Sequence, residues 1–340
     1  MYRTDRLISA LLLVSALCTA GPAAAAERDL KIATSFPAGT TFVKELRKAG
    51  NTIEEETQGR VGLKIFPGGA MGTGKAVLRK IRIGQLHGAI VTANGLDRIA
   101  PQVAVYSMPF LFRNRAELAH VREHLDPVIR ERVREQGFVL TGISEGGFSY
   151  LFSKEPIKDL EDLADSKIWA PEGDEISTRM FRRAGAEPVS LPLSDVYTSL
   201  QSGMIDTVTI HPTGAIAMQW HTGVNYYTDA PLSFLMAMMV LDERVFEQLE
   251  PADREVVRSV LEDKFAELDE INARDNAEAL EVLRERGIEA VEPARAPDER
   301  RWEDISRRTL EAMEEEGRVD TGLLDRARER VQAYREQHDG

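Results

Sequence analysis

The sequence predicts an α/β protein of two lobes with one long helix running across both. Three observations carry this. Short β-rich runs alternate with amphipathic stretches through the first two thirds of the chain, as in βαβ units around a mainly parallel sheet. The chain has 340 residues, more than a single hydrophobic core readily organises. From Ala252 to Arg286 there is neither Gly nor Pro, while Val257, Leu261, Phe265, Leu268, Leu280 and Leu283 recur near helical spacing. That stretch predicts a helix well beyond ordinary length. A coiled coil would hold strict heptads, and here the spacing drifts between Ile271 and Ala279.

Taken in order, Leu30 to Ser35 reads as a strand, Phe42 to Glu56 as an amphipathic helix ended at Gly59, and Val61 to Phe66 as a strand stopped by Pro67-Gly68-Gly69. A helix over Ala76 to Ile83, a strand over Gly88 to Thr92 and a helix from Glu117 to Gln136, stopped by Gly137, complete the first set. A second set follows, with strands near Val139 to Ile143, Tyr150 to Ser153, Lys167 to Ala170 and Val208 to Ile210. Helices are expected near Glu175 to Arg183 and Ser194 to Gln201. After the long helix, Asp298 to Glu316 and Thr321 to Gln337 read as charged helices with solvated faces and i,i+4 pairs.

The N-terminus points to export. Arg3 and Arg6 precede an apolar run from Leu7 to Leu17, and Ala23 to Ala26 supply the small residues of a cleavage site. The run is shorter than the roughly 20 apolar residues that span a bilayer, so a cleaved leader over residues 1–26 is expected rather than an anchor. Leu17 occupies the position before Cys18 where a lipoprotein signal needs a small residue. Cys18 is the sole cysteine and leaves with the leader, so no disulfide or cysteine chemistry is expected in residues 27–340. The formal net charge of −13 argues against nucleic acid or an anionic membrane as partner.

Two motifs suggest chemistry and are weighed against plainer readings. Gly69 to Ala76 follows most of G-x-x-x-x-G-K-[ST], but Ala76 lacks the hydroxyl that holds Mg²⁺, which leaves a glycine-rich turn into a helix. Gly142-Ile143-Ser144-Glu145-Gly146 matches the G-x-S-x-G nucleophile elbow, which needs a helix directly after the serine; Phe148 to Phe152 instead reads as a strand. A periplasmic hydrolase using Ser144 stays as the rival enzyme reading. His211 and His221 lack metal-pair spacing, and neither metal nor cofactor is expected. His211 follows a strand and precedes Pro212, at the carboxyl end where open α/β sheets bind ligands.

A wider pattern now emerges. Gly59-Arg60, then Ile65-Phe66-Pro67-Gly68-Gly69 and Met71-Gly72, resembles the first βαβ unit of the DctP-like solute-binding subunits of tripartite ATP-independent periplasmic (TRAP) transporters. Met108-Pro109-Phe110-Leu111-Phe112 is similar to that family's Pro-Phe block, and Pro156-Ile157 with Leu160-Glu161-Asp162-Leu163 to its entry into the second lobe. The most specific match runs from Asp195-Val196-Tyr197 through Gly203-Met204-Ile205-Asp206. The resemblance implies a periplasmic, non-enzymatic Venus-flytrap protein that delivers a small-molecule ligand to a permease of small and large integral subunits driven by an ion gradient; a monomer is expected. It also implies discontinuous lobes, here placed at 27–146 plus 235–274 and 147–234 plus 275–337. A ligand-binding sensory protein is a third reading.

The departures bear on the ligand. The family usually carries arginines that grip a substrate carboxylate at two positions occupied here by Ser149 and Trp169. Neither a hydroxyl nor an indole replaces a planar guanidinium fork. The resemblance therefore implies the fold and role but not the usual organic acid. The cleft is expected to be lined by Ser35, Thr92, Ser149, Trp169, Leu193 and His211, with Trp169 as a stacking wall, Leu193 as an apolar contact and His211 as a hydrogen-bonding group. Arg60, Lys64, Lys75 or Arg179 would restore carboxylate binding if one of them reached the cleft.

Overall fold

The computed structural model describes residues 28–72, 74–96, 99–294, 297–318 and 321–338. The expected leader and its cleavage after Ala26 lie outside the described residues.

The chain begins with β1 (Arg28–Thr34), α1 (Thr41–Glu56), β2 (Val61–Phe66), α2 (Gly74–Arg82) and β3 (Gly88–Thr92). β1 pairs in parallel with both β2 and β3. Thr40 caps α1 by accepting the Val43 N–H, and Gly59, at φ +82°, turns the chain into β2. Two 3₁₀ turns then lead to α3 (Arg115–Glu135), capped by Asn114 and released at Gly137. Next comes β4 (Phe138–Ser153), one strand where two were expected.

After β4 come α4 (Leu160–Ala164), β5 (Lys167–Pro171), α5 (Glu175–Arg183), β6 (Glu187–Leu191), α6 (Val196–Ser202), β7 (Thr207–Ile210), α7 (Pro212–Ala217) and β8 (Tyr226–Thr228). The chain returns through β9 (Ser233–Asp242), α8 (Glu243–Glu247), α9 (Pro251–Glu285) and β10 (Glu289–Val291), and closes with α10 (Pro297–Glu315) and α11 (Gly322–His338).

The strands run in the order β2-β1-β3-β9-β4-β7-β5-β6. The sheet is mixed, not mainly parallel, because β9 is antiparallel to β3 and to β4, and β4 to β7. β9 escaped the sequence reading for a physical reason. It is buried on both faces, so its Phe-Leu-Met-Ala-Met-Met-Val-Leu run lacks the alternation that marks a half-exposed strand. β4 and β9 together carry the chain between lobes. β4 pairs with β9 from Phe138 to Ser149 and with β7 from Tyr150 to Ser153, and its register shifts between Glu145 and Gly147. Gly147 has φ +109°, which explains why a turn-like Gly-Gly pair lies inside a strand: it forms a bulge.

α9 spans both lobes. Val257, Leu261 and Phe265 pack with Leu46 and Ile53 of α1 in one core, while Leu283 packs with Trp220 and Tyr227 in another. Where the apolar spacing drifts, polar side chains meet the β4 bulge. Asp269 Oδ1 accepts the Glu145 N–H at 2.6 Å, Asn272 Nδ2 donates to Glu145 O at 2.9 Å, and Asn276 Nδ2 donates to Gly146 O at 2.8 Å. The backbone groups that the bulge removes from the ladder are thereby satisfied. α10 packs on α5, whereas α11 packs on α3 and anchors Arg335 to Glu117 at 2.8 Å. Residues 322–338 therefore sit against α3.

Candidate ligand-binding cleft

The carboxyl ends of β1, β3, β5 and β7 converge between the lobes on a cavity of about 510 Å³. Ser35 follows β1, Thr92 ends β3, Trp169 lies in β5, Leu193 opens the turn before α6, and His211 follows β7; all five line this cavity. Ser149, the sixth expected residue, does not. It is fully buried in β4, with Oγ 2.8 Å from Ser233 Oγ and donating to Ser233 O at 3.1 Å, so it props Ser233, which does reach the wall. The Ser149–Ser233 register of β4 against β9 sets this, and β9 was not legible in the sequence.

Trp169 belongs to the core as well as the wall. It is 5% exposed, stands edge-on to Trp220 with centroids 5.1 Å apart, and donates its indole N–H to Leu191 O at 3.0 Å. With its one donor engaged, it offers the cavity only ring surface.

His211 is the N-cap of α7. Its Nδ1 accepts the Gly214 N–H at 3.0 Å, which assigns the ring proton to Nε2. Thr213 Oγ1 lies 2.7 Å from that Nδ1 and 2.8 Å from Asn276 Oδ1 on α9. Desolvation lowers the imidazole pKa to about 4, so the ring is neutral at neutral pH and Nε2–H is a donor.

The cations considered for the cleft are placed elsewhere. Arg60 grips Asp253 with two bonds of 3.0 and 2.7 Å, and Arg179 grips Glu316 with two of 2.8 and 2.9 Å. Lys64 Nζ stands 5.8 Å from the Phe66 ring centroid. The Lys75 side chain lies outside the described ones. Among the described lining residues none is Lys or Arg, while Glu172 and Asp174 bring carboxylates. Asp174 caps α5, accepting the Ser177 N–H at 2.9 Å and the Ser177 hydroxyl at 2.6 Å. The sequence reading missed much of the apolar wall, including Phe36, Met108, Met180, Met218 and Met236. Met108 stands in the Pro-Phe block, which was a usable signal; Met236 depends on β9.

The other motifs resolve simply. Ser144 is fully buried inside continuous β4, so no strand-to-helix turn presents its hydroxyl. His221 Nδ1 lies 3.1 Å from Ala215 O and its Nε2 2.9 Å from Arg286, apart from the bonds of His211. Gly72 and Gly74, from the glycine-rich turn before α2, line the cavity. A second depression of about 520 Å³ lies beyond Ile176, between Gln102, Arg132 and Arg318. It holds none of the six candidates, and its arginines pair with Glu135, Glu175 and Glu316.

Residues 32–316 match the family described as bacterial extracellular solute-binding protein, family 7, DctP. The chain belongs to that family. Among DctP relatives, the 2,3-diketo-L-gulonate-binding periplasmic protein YiaO of Escherichia coli is 23% identical over 256 residues, covering 72% of this chain and 75% of its own. The C4-dicarboxylate-binding periplasmic protein DctP of Rhodobacter capsulatus is 22% identical over 313 residues, 89% of this chain and 92% of its own. The fold is that of the two-lobed TRAP solute-binding proteins. A TRAP periplasmic solute-binding protein from Xanthobacter autotrophicus, solved with bound β-D-galacturonate, aligns at TM-score 0.80 and 22% identity, covering 89% of this chain and 99% of its own. The DctP family consists of substrate-binding transport proteins, and the named relatives are periplasmic.

Proposed function

We propose that this protein captures a small solute in the periplasm and delivers it to a TRAP-type permease of one small and one large membrane subunit. The observation that carries the reading is the cavity itself. It opens between two lobes joined by β4, β9 and α9, and five candidate side chains from different elements converge on it. Hinge closure over a ligand is the motion such an arrangement allows. Ser35, Thr92, Trp169, Leu193 and His211 are the proposed contacts, with Ser149 acting through Ser233.

The named relatives bind acids, and this chain departs from them in the ligand we propose. Ser149 is turned away from the cavity, Trp169 brings no charge, and the described wall holds no cation. A buried carboxylate without a paired cation loses several kcal/mol of hydration. Hydrogen bonds from neutral donors return about 1.5–3 kcal/mol each to a charged group and leave a deficit. The ligand is therefore not a simple carboxylate held by arginine at those two positions.

The test is calorimetry on ligand-stripped protein with succinate, lactate and galacturonate, together with Trp169→Arg. Weak acid binding that tightens in Trp169→Arg supports the reading. Tight acid binding by the unaltered protein refutes the ligand proposal. Delivery is tested by uptake: deleting either permease subunit should abolish accumulation of the bound solute to the same extent as deleting this protein.

A further inference from the structure

The chemistry of the cavity wall goes further than excluding an arginine-held acid. Resting on the solute-capture reading above, we infer that the ligand is an uncharged, largely apolar small molecule with a flat face and a hydrogen-bond acceptor at one end.

Shape and surface come first. Four methionines, Met108, Met180, Met218 and Met236, surround the cavity together with Phe36 and Trp169. Three of the methionines are at most 4% exposed, so their thioethers are held in the wall rather than waving in solvent. Methionine is unbranched and polarisable and packs well against aromatic rings. The indole of Trp169 is fixed by its bond to Leu191 O and by Trp220, so it presents a preset surface to stack on. A cavity of about 510 Å³ suits a molecule of one or two rings.

Polarity comes next. Three of the hydroxyls on the wall are already engaged. Thr34 Oγ1 accepts the Phe36 N–H, Ser233 Oγ pairs with Ser149, and Ser177 Oγ donates to Asp174. His211 Nε2–H remains as a directed donor near the β7 end, alongside the hydroxyls of Ser35, Thr92, Ser107 and Thr209. A single acceptor on the ligand, an amide or ketone oxygen, satisfies it.

Charge decides among the classes. An anion meets neutral donors and the Glu172 and Asp174 carboxylates, with no cation among the described lining residues. A cation finds both oxygens of Asp174 bound by Ser177 and Glu172 likewise engaged within the fold, and the thioethers replace its hydration poorly. A neutral solute forgoes neither hydration shell and gains the whole apolar wall.

The experiment uses matched triplets that share a skeleton and differ only in charge. Benzamide, benzoate and benzylamine form one set; indole-3-acetamide, indole-3-acetate and tryptamine form another. Each is titrated by thermal shift and calorimetry into ligand-stripped mature protein, beside galacturonate and succinate. Protein isolated from its own periplasm is extracted in parallel for mass spectrometry of any retained solute. Amides should bind at least tenfold more tightly than their acid and amine counterparts, and a retained solute should be neutral. The Met180→Asp and Met236→Asp variants should each weaken amide binding at least tenfold. Tighter binding of the acids overturns the inference while leaving solute capture intact, and loss of that binding in Lys75→Met would name the cation. Tighter binding of the amines overturns it equally. Stabilisation by no member of any class, with no retained solute, overturns both this inference and the capture reading.

Discussion

His211 caps α7 through a ring nitrogen that a second proton would occupy. In an unfolded chain the imidazole takes that proton near pH 6.5, and in this fold only near 4. The stabilisation from the neutral ring is complete above pH 6.5 and drains away as pH falls to 4, amounting to about 3 kcal/mol. Asp269 has the opposite slope. Burial, assisted by the Glu145 charge, raises its pKa from 3.8 to about 6, so its contribution is present at low pH and is lost as pH rises through 6. The two titrations overlap and partly cancel, so the readout is a difference between proteins. His211→Asn keeps a cap for the Gly214 N–H and removes the titration. Its stability relative to the unaltered protein, from urea midpoints, should improve steadily between pH 6.5 and 4.5. A gap independent of pH would show that His211 does not stay neutral in the fold. The position of His211 was legible as a strand end before a proline; its cap and tautomer were not, because they depend on how α7 starts.

Among elements, the crossing of β4 and α9 is the most exacting. A Cβ at Gly147 would stand 2.4 Å from Asn276 Nδ2, and φ there is +109°. Gly147→Ala should therefore destabilise the protein by about 2 kcal/mol or more. Asn276→Ala leaves Gly146 O and the Thr213 N–H without the partner that holds them and should cost about 2–3 kcal/mol. The collision and the lost bonds share one side chain, so the double variant should cost less than the sum of the two. Chemical denaturation of the four proteins measures this. Strict additivity would mean that the backbone angle alone makes Gly147 necessary. The helix itself was readable because no breaker interrupts it. The drift from Ile271 to Ala279 was visible but gained meaning only when Asn272 and Asn276 were found against the bulge.

At the scale of the molecule, the lobes meet. Ile176 and Met180 of α5 join the core cluster that holds Leu118, Val121 and Ile129 of α3. Phe110, at φ +56°, reaches from the Pro-Phe block to within 6.3 Å of the Trp302 ring, and its N–H bonds Leu232 O at 2.8 Å. These contacts are the ones that lobe opening would part. Ligand that binds between the lobes should raise the melting temperature, since it binds only the folded chain, and should reduce the radius of gyration in X-ray scattering. Unchanged scattering with a saturating ligand would argue for a rigid pocket. Export is tested separately: mass spectrometry of periplasmic protein should find a chain starting within a few residues of Glu27, and a full-length cytosolic product would overturn the compartment.

Whatever is encoded within a few neighbouring residues could be read without coordinates. Helix periodicity and the glycine stops at Gly59 and Gly137 are of this kind, and so is the placement of Ser35, Thr92 and His211 at or just beyond strand ends. Features that join distant segments required the fold. Arg60 meets Asp253 across 193 residues and Arg179 meets Glu316 across 137, which removes both from the cleft. Ser149 turned inward and the Trp169 N–H became occupied because β9 and β6 were aligned beside them. A one-residue change of register would send each of those side chains to the opposite face, and no local pattern in the sequence specifies that alignment.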